Sequence, residues 1–419
     1  MLRATFTLLT GGALAQLVPL LLGPVLARLF SPEAFGLFTA FATIAAAIAV
    51  VACARYEYAL PMARDEAEAA ALLALALRIW VGVAAFSLPL AWGLHAAGRL
   101  PVAWALPLSV AATGLLQLLM MWSNRAEAYG ALAASRFVQY AGAALLQVAL
   151  GWWLWRGSAA GADAAWALVL GPVIAVALAA PLLARTAPAG GWSALWRVPG
   201  HAMRSVARRY RDFPLLNTPH AFLGTLQDAL AVALLIAWSG EAAAGFWGLA
   251  LRYLKAPATL VGTAVSQALY PRLTQSTPAE AQRAVRQVMA LLGALALVLM
   301  LVLLLVGPWL FATVFGAQWR DAGELARALA PYIAAHFVAA PLAVVTMAWQ
   351  SQRWAFRLAL VGQAVFLLCL AWGLWTGGLL RGAWAVSAGM VLYFGYYFWR
   401  LANWPSIPAR AVAAAEGGA

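Results

Sequence analysis

Apolar runs long enough to cross a membrane recur from one end of the chain to the other. Only α-helices and closed β-barrels satisfy their backbone polar groups inside a bilayer, and a helix needs about 20 apolar residues to cross its hydrocarbon core. Runs of that length lie near residues 5–27, 34–54, 69–94, 101–122, 133–155, 163–183, 214–238, 242–270, 285–306, 328–350, 355–376 and 380–401. With 65% hydrophobic and 10% charged residues, the sequence predicts an all-α, polytopic membrane protein of about 12 transmembrane helices.

The positions of the 27 Lys and Arg residues orient these helices. With the N-terminus inside, 18 of them fall in cytoplasmic segments or at the cytoplasmic ends of spans, 6 fall in outer segments or at outer ends, and 3 fall deeper within spans. Cytoplasmic loops of membrane proteins carry the excess of Lys and Arg, so both termini are predicted to be cytoplasmic. The net charge of +13 therefore reflects mainly the orientation of the spans, and it also attracts anionic lipid headgroups. Nucleic acid is not an expected partner.

The two sets of six spans resemble one another. The segment Tyr58-Ala59-Leu60-Pro61 has a counterpart in Ala268-Leu269-Tyr270-Pro271, and an acidic, Ala-rich segment follows each. Six is an even number, so both halves enter the membrane from the same side, as parallel repeats about an axis along the membrane normal. The predicted organisation is an N-terminal lobe 1–183, a basic cytoplasmic linker 184–213, a C-terminal lobe 214–404 and a tail 405–419.

Two cations fall inside the predicted span 242–270. Arg252 and Lys255, the only lysine in the chain, lie one helical turn apart, and Lys255 lies roughly 20 Å from the start of the span. Each would cost roughly 2.5–3.5 kcal/mol at the bilayer centre, so we expect them to face an anionic group or water. The same helix face carries Thr259, Gly262, Thr263, Ser266 and Tyr270. This polar stripe predicts one wall of a cavity.

Five further ionisable residues are candidates for ion coupling, gating or substrate contact. Asp228 lies mid-span, where either an ion pair with Arg252 or Lys255 or a titrating role in cation coupling would accommodate its charge. His220 and His336 are either proton carriers or hydrogen-bonded structural residues.

Arg78 and Glu57 lie nearer the cytoplasmic ends of their spans. Arg78 either lines the cavity or extends its side chain to the cytoplasmic face. Glu57 follows Arg55 at the end of the second span, which indicates a local ion pair or a gate.

Sequence signatures of soluble enzymes are missing. The chain has no P-loop, HExxH or nucleotide-binding glycine motif in context. Cys53 and Cys369 lie in apolar runs without a CxxC or nearby His, so neither a metal site nor a disulfide is predicted. We therefore expect a transporter without a cofactor, driven by an ion gradient, H⁺ or Na⁺, or by a substrate gradient.

Four segments together carry a family resemblance. They are ARLFSPEAFG at 27–36, RYEYALP at 55–61 with acidic residues after it, RRYRDFP at 208–214 and FGAQWRDAG at 315–323. In this order they resemble the Wzx-type flippases of lipid-linked oligosaccharides, which translocate O-antigen and exopolysaccharide units. Those flippases belong to the multidrug/oligosaccharidyl-lipid/polysaccharide exporter superfamily.

The resemblance implies two six-helix lobes in the bacterial inner membrane that alternate access to a cationic cavity. The implied substrate is an undecaprenyl-pyrophosphate-linked glycan for lipopolysaccharide or a related surface polysaccharide, exchanged against H⁺ or Na⁺. Its pyrophosphate would contact Lys255, Arg252 and Arg78, since a phosphate in a low-dielectric cavity needs cationic partners. Membrane lipids, and polymerase machinery at the basic linker, are the other implied partners.

Four other functions are alternatives to the flippase. A drug or cation antiporter shares the fold, but acidic cavity groups would suit it better than three intramembrane cations. A peptidoglycan-precursor flippase would have two more spans. A membrane glycan polymerase or ligase usually has a large external loop, whereas every predicted external loop here is short. A non-transporting scaffold would have no use for cations aligned on one buried helix face.

Overall fold

The computed structural model describes residues 2–156 and 164–404, and all regular structure in these ranges is helical. The α-helices are α1 Leu2–Leu29, α2 Pro32–Ala49, α3 Glu66–Ala96, α4 Leu106–Arg125, α5 Tyr129–Phe137, α6 Ala143–Arg156, α7 Ala165–Ala184, α8 Gly200–Arg209, α9 Thr218–Gln275, α10 Pro278–Phe315, α11 Arg320–Ala348 and α12 Gln352–Ala402. A short π-helical segment, Val138–Gly142, joins α5 to α6, so these two form one membrane-spanning element.

Glycines interrupt two of these helices, and each interrupted helix supplies two predicted spans. Gly240 breaks α9 at φ 83° and ψ 176°, and Gly377 with Gly378 breaks α12. Within the described ranges, nine continuous segments are long and apolar enough to cross a membrane. Dividing α9 and α12 at these glycines adds two spans to the nine, and helix α1 adds one more. The total equals the predicted 12 spans. The prediction of an all-α, polytopic membrane protein is confirmed.

The second span is shorter than the predicted range 34–54. Ser31 is the N-cap of α2, and its Oγ accepts a hydrogen bond from the Ala34 N–H. The helix ends at Ala49. Ala54 and Arg55 then adopt φ values of 48° and 62°, which turn the chain into a 3-10 helix, Tyr56–Met62. The turn is not visible in the apolar pattern because residues 50–54 are as apolar as the helix before them.

The chain divides into two compact units. Of the described residues, the first unit consists of 2–156, 164–236 and 241–245, and the second of 237–240 and 246–404. The first unit therefore also includes α9 up to Ile236, beyond the predicted N-terminal lobe 1–183. The lobe boundaries set by the sequence repeat stay a prediction.

The basic segment predicted as a linker folds against the first unit. Met203 and Val206 of α8 are buried in the same apolar cluster as Leu72 of α3. The Tyr56 hydroxyl donates to the Ala207 carbonyl at 3.2 Å. Further along the same segment, the Tyr210 hydroxyl donates to a carbonyl of the 3-10 helix at 3.3 Å. The apolar side of this amphipathic helix thus contributes to the core, and its arginines remain on the surface.

Within the first unit, two helices cross backbone to backbone at a reciprocal pair of glycines. A Cβ on Gly36 would overlap the Glu241 carbonyl, and a Cβ on Gly245 would overlap the Pro32 carbonyl. Both glycines are buried. Only glycine permits this close approach, which explains why glycine stands at both positions.

The core of the second unit forms where α10 and α11 pack against the part of α9 that follows Gly240. Ala258 and Leu269 of α9 are buried with Val285 of α10 and Leu342 of α11. The Ser266 hydroxyl donates to a carbonyl of α11, that of Pro341, at 3.0 Å. This packing fixes the helix face that carries Lys255 relative to α11.

Candidate functional site

Lys255 is half-buried on α9, between the buried residues Leu254 and Ala258. Its ammonium lies close enough to His336 of α11 to act on the imidazole electrostatically. Both residues belong to the second unit. The structure therefore brings together two residues that the sequence placed on different helices and assigned to different roles.

Within the described part of the second unit, no carboxylate forms an ion pair with Lys255. Glu324 pairs with Arg327 at 2.9 Å, and Glu280 accepts hydrogen bonds from Thr277 at the start of α10. A half-buried ammonium without an acidic neighbour is unfavourable in a membrane helix. The positive charge is therefore available to an anionic ligand.

Aromatic rings pack around His336. Tyr332 stacks on His336 with ring centroids 5.9 Å apart and planes 15° apart. Phe394 of α12 lies 6.4 Å from the Tyr332 ring and 6.2 Å from the His336 ring. Lys255, His336, Tyr332 and Phe394 are here named the Lys255 site.

Arg252 lies one turn before Lys255 and is also half-buried. Between them, the Tyr253 ring packs edge-to-face on Phe315, with centroids 4.6 Å apart. This contact holds the turn of α9 that carries both cations.

The hydroxyl groups of the predicted polar stripe bond mainly to backbone. Thr259 donates to the Lys255 carbonyl at 3.1 Å, and Thr263 donates to the Thr259 carbonyl at 2.9 Å. Such bonds satisfy a hydroxyl within its own helix. These two residues are therefore weaker candidates for substrate contact than Lys255.

Arg78 contacts the folded basic segment. Its Nη2 lies 3.2 Å from the Trp196 carbonyl and 3.4 Å from the Val198 carbonyl. This placement favours a structural role in the first unit. Its predicted contact with substrate stays a prediction.

Asp228 and His220 are exposed on α9 before Gly240 and belong to the first unit. Arg252 and Lys255 belong to the second unit. The predicted ion pair of Asp228 with either cation, and the predicted coupling roles of Asp228 and His220, stay predictions.

Glu57 is 3% exposed in the 3-10 helix after α2. Burial raises the pKa of Glu57 to about 7, against the smaller lowering effects of a hydrogen bond from its own backbone N–H and of Arg55. Among the described residues, Oε2 of Glu57 has no hydrogen-bond donor. The Arg55 guanidinium lies over the Tyr58 ring, 4.8 Å from its centroid. The local ion pair is not formed in the described structure, and the gate stays a prediction.

Sequence reasoning overlooked Arg125, which ties α4 to the turn before α3. Its Nη1 donates to the carbonyls of Leu60 at 3.3 Å and Ala63 at 2.9 Å. Its Nη2 donates to the Glu66 carboxylate at 2.9 Å. The sequence did contain a signal for this contact. The second and fourth spans end on the same side of the membrane, so the acidic residues after the second span could have been matched with a cation at the end of the fourth.

Comparisons with known proteins agree with this fold. A family model described as polysaccharide biosynthesis protein matches residues 25–324, and the chain belongs to that family. No curated protein matches the sequence. The fold is similar to an inward-facing multidrug resistance MATE transporter of the MOP superfamily, with TM-score 0.61 and 12% identity over 93% of this chain and 96% of that one.

Two further solved structures share the fold. The lipid II flippase MurJ in an inward closed conformation has TM-score 0.68 and 10% identity over 93% of this chain and 89% of that one. A mutant of the Vibrio cholerae MATE transporter VcmN has TM-score 0.57 and 16% identity over 96% and 95% of the two chains. The resemblance read from the sequence is confirmed for the family and for the transporter fold.

Proposed function

We propose that this protein is a flippase that moves an undecaprenyl-pyrophosphate-linked oligosaccharide across the bacterial inner membrane by alternating access, for surface polysaccharide biosynthesis such as O-antigen. Family membership supports a role in polysaccharide biosynthesis. The fold is similar to those of MATE and MurJ proteins, and such a fold would suit the proposed transport. The excess of Lys and Arg on one side supports an orientation with both termini in the cytoplasm.

The observation that carries the proposal is the half-buried Lys255 ammonium, which has no ion-pair partner among the described carboxylates of its own unit. A pyrophosphate would supply the missing counter-charge through charge-assisted hydrogen bonds. Arg252, one turn away, would add a second, bidentate donor. The aromatic faces of Tyr332 and Phe394 would border the bound headgroup.

A cationic drug is less well supported as the substrate, although MATE proteins share the fold. Lys255 would repel a cation at the site, and the described part of the second unit offers no carboxylate next to it. Coupling to H⁺ or Na⁺ antiport would involve Asp228, His220, His336 or Glu57.

The test is translocation of a fluorescent lipid-linked oligosaccharide in vesicles that contain the purified protein. We expect Lys255→Ala to lower the initial rate about tenfold or more, since a charge-assisted hydrogen bond contributes about 1.5–3 kcal/mol. Lys255→Arg keeps the charge and should retain most of the rate. Arg252→Ala should lower the rate less, because Lys255 remains.

Arg272→Ala is the matched control, since Arg272 is an exposed cation near the end of the same helix. Its rate should equal that of the native protein. Unchanged translocation by Lys255→Ala, at equal protein level in the vesicles, would overturn the assignment of the Lys255 site. Translocation of a cationic dye with no movement of the lipid-linked glycan would instead favour the drug antiporter.

A further inference from the structure

A lateral groove lies in the second unit, between the two segments of α12 that Gly377 and Gly378 separate. Its volume is about 520 Å³, within the range of small-molecule sites. The lining residues are Trp354, Arg357, Leu358, Val361, Val365, Gly389, Leu392, Tyr393 and Tyr396. Leu392 is 77% exposed, so the groove opens on the outside of the unit.

Glycines let the two segments of α12 approach each other along this groove. A Cβ on Gly362 would lie 2.7 Å from Cζ of Tyr393, so the tyrosine ring lies directly over that glycine. At one end, the Trp354 ring stacks on Tyr397 with centroids 6.0 Å apart and planes 10° apart. These contacts fix the walls independently of any occupant.

The groove is aliphatic along most of its length and has one cation. Val361 and Val365 follow Arg357 at intervals of four residues, so the three side chains share a helix face. Arg357 is exposed, and it forms no hydrogen bond or ion pair with any residue in the described ranges 2–156 and 164–404. Arg357 lies about 8 Å from the start of α12, a depth that its long side chain spans to reach lipid headgroups.

If α12 begins at the membrane surface, Arg357 lies at the level of phospholipid phosphates. Trp354 and Tyr396 both line the groove, and the Trp354 ring stacks on Tyr397, the residue next to Tyr396. Trp and Tyr side chains concentrate at the level of the headgroups, where the apolar ring and the polar tip both find suitable surroundings. An occupant of this groove therefore meets a cation at the headgroup level and aliphatic side chains below it.

We propose that this groove binds an anionic phospholipid of the surrounding bilayer, with the phosphate at Arg357 and one acyl chain along Val361, Val365 and Leu392. A neutral apolar helix from a second copy would leave Arg357 facing apolar surface. The site is separate from the Lys255 site, and it does not depend on the proposed transport function.

The experiment counts lipids retained by the purified protein in native mass spectrometry after equilibration with equal amounts of phosphatidylglycerol and phosphatidylcholine. The native protein should retain phosphatidylglycerol in preference. Arg357→Gln should reduce that preference about fivefold, the effect of one cation at an anionic headgroup. Arg272→Gln removes an equal charge outside the groove and should leave the preference unchanged.

A second variant tests the apolar part of the site. Val361→Trp fills the groove with a bulky side chain at an exposed position, and it should reduce retention of both lipids. Equal losses for Arg357→Gln and Arg272→Gln would overturn the proposal in favour of a diffuse attraction to positive charge. Retention of a polyprenyl lipid or of a second protein copy at the groove, blocked by Val361→Trp, would also overturn it.

Discussion

Arg125 in the first unit and Lys255 in the second are both half-buried cations on membrane-spanning helices, but their surroundings differ. Arg125 donates to three carbonyls and to the Glu66 carboxylate, and it ties α4 to the turn before α3. Lys255 has no ion-pair partner among the described carboxylates of its unit. A cation surrounded by acceptors stabilises the fold, whereas one without them is available to a ligand.

The largest effect on stability is expected for Arg125→Gln. The variant loses its hydrogen bonds to the turn and to Glu66, so the free energy of unfolding should fall by about 3–4 kcal/mol. Thermal unfolding of the detergent-purified protein measures the loss. A change as small as that of an exposed arginine variant would show that Arg125 is not the tie between α4 and the turn.

Glu57 extends the comparison to an anion that lacks a full set of partners. Its pKa of about 7 in the folded protein lies above its ordinary value of 4.5, so the folded state binds more protons between these pH values. Stability contributed by the protonated form is complete below pH 4.5 and is lost as the pH rises through about 7. Glu57→Gln should therefore be more stable than the native protein at pH 8, by on the order of 3 kcal/mol, and equal to it at pH 4.5.

Unfolding measured across this pH range tests the Glu57 prediction. The native protein and Glu57→Gln should diverge between pH 4.5 and about 7 and keep a constant difference above that. If the two stability curves ran parallel, folding would not change the pKa of Glu57 in this pH range.

A smaller effect is expected for Arg78→Gln. Arg78 donates to the Trp196 and Val198 carbonyls, and losing these bonds should lower the free energy of unfolding by about 1–2 kcal/mol. The segment around Trp196 should also be cleaved faster by a protease. Normal proteolysis with strongly reduced glycan translocation would instead place Arg78 in the substrate path.

The smallest effect on stability is expected for Lys255→Gln. Removing a half-buried charge without an ion-pair partner should change the free energy of unfolding by no more than about 0.5 kcal/mol, or raise it. Thermal unfolding next to Arg125→Gln makes the contrast direct. A loss comparable to that of Arg125→Gln would show that Lys255 stabilises the fold and is not reserved for a ligand.

Much of the fold could be predicted because apolar length is a local property. The predicted spans coincide with helices, including those that Gly240 and Gly377 separate within α9 and α12. The end of α2 was missed because positive φ values at Ala54 and Arg55, in an apolar stretch, decide it.

The candidate site was only partly predictable. Lys255 and His336 were identified as intramembrane ionisable residues, but their proximity depends on how α9 packs against α11. Arg78 was also identified as an ionisable residue within a span. Its hydrogen-bond acceptors, however, lie in the segment that was predicted to be a linker.

The sequence by itself determined that this chain spans a membrane many times and which charges lie within the spans, since both depend on residues close together along the chain. The tertiary structure decided which of those charges have partners. The Leu60 carbonyl lies 65 positions from Arg125 in sequence, so only the packing of α4 against the turn brings donor and acceptor together. Lys255 differs from Arg125 for the same reason, because the packing of the described residues around it in the second unit brings no carboxylate into an ion pair with it.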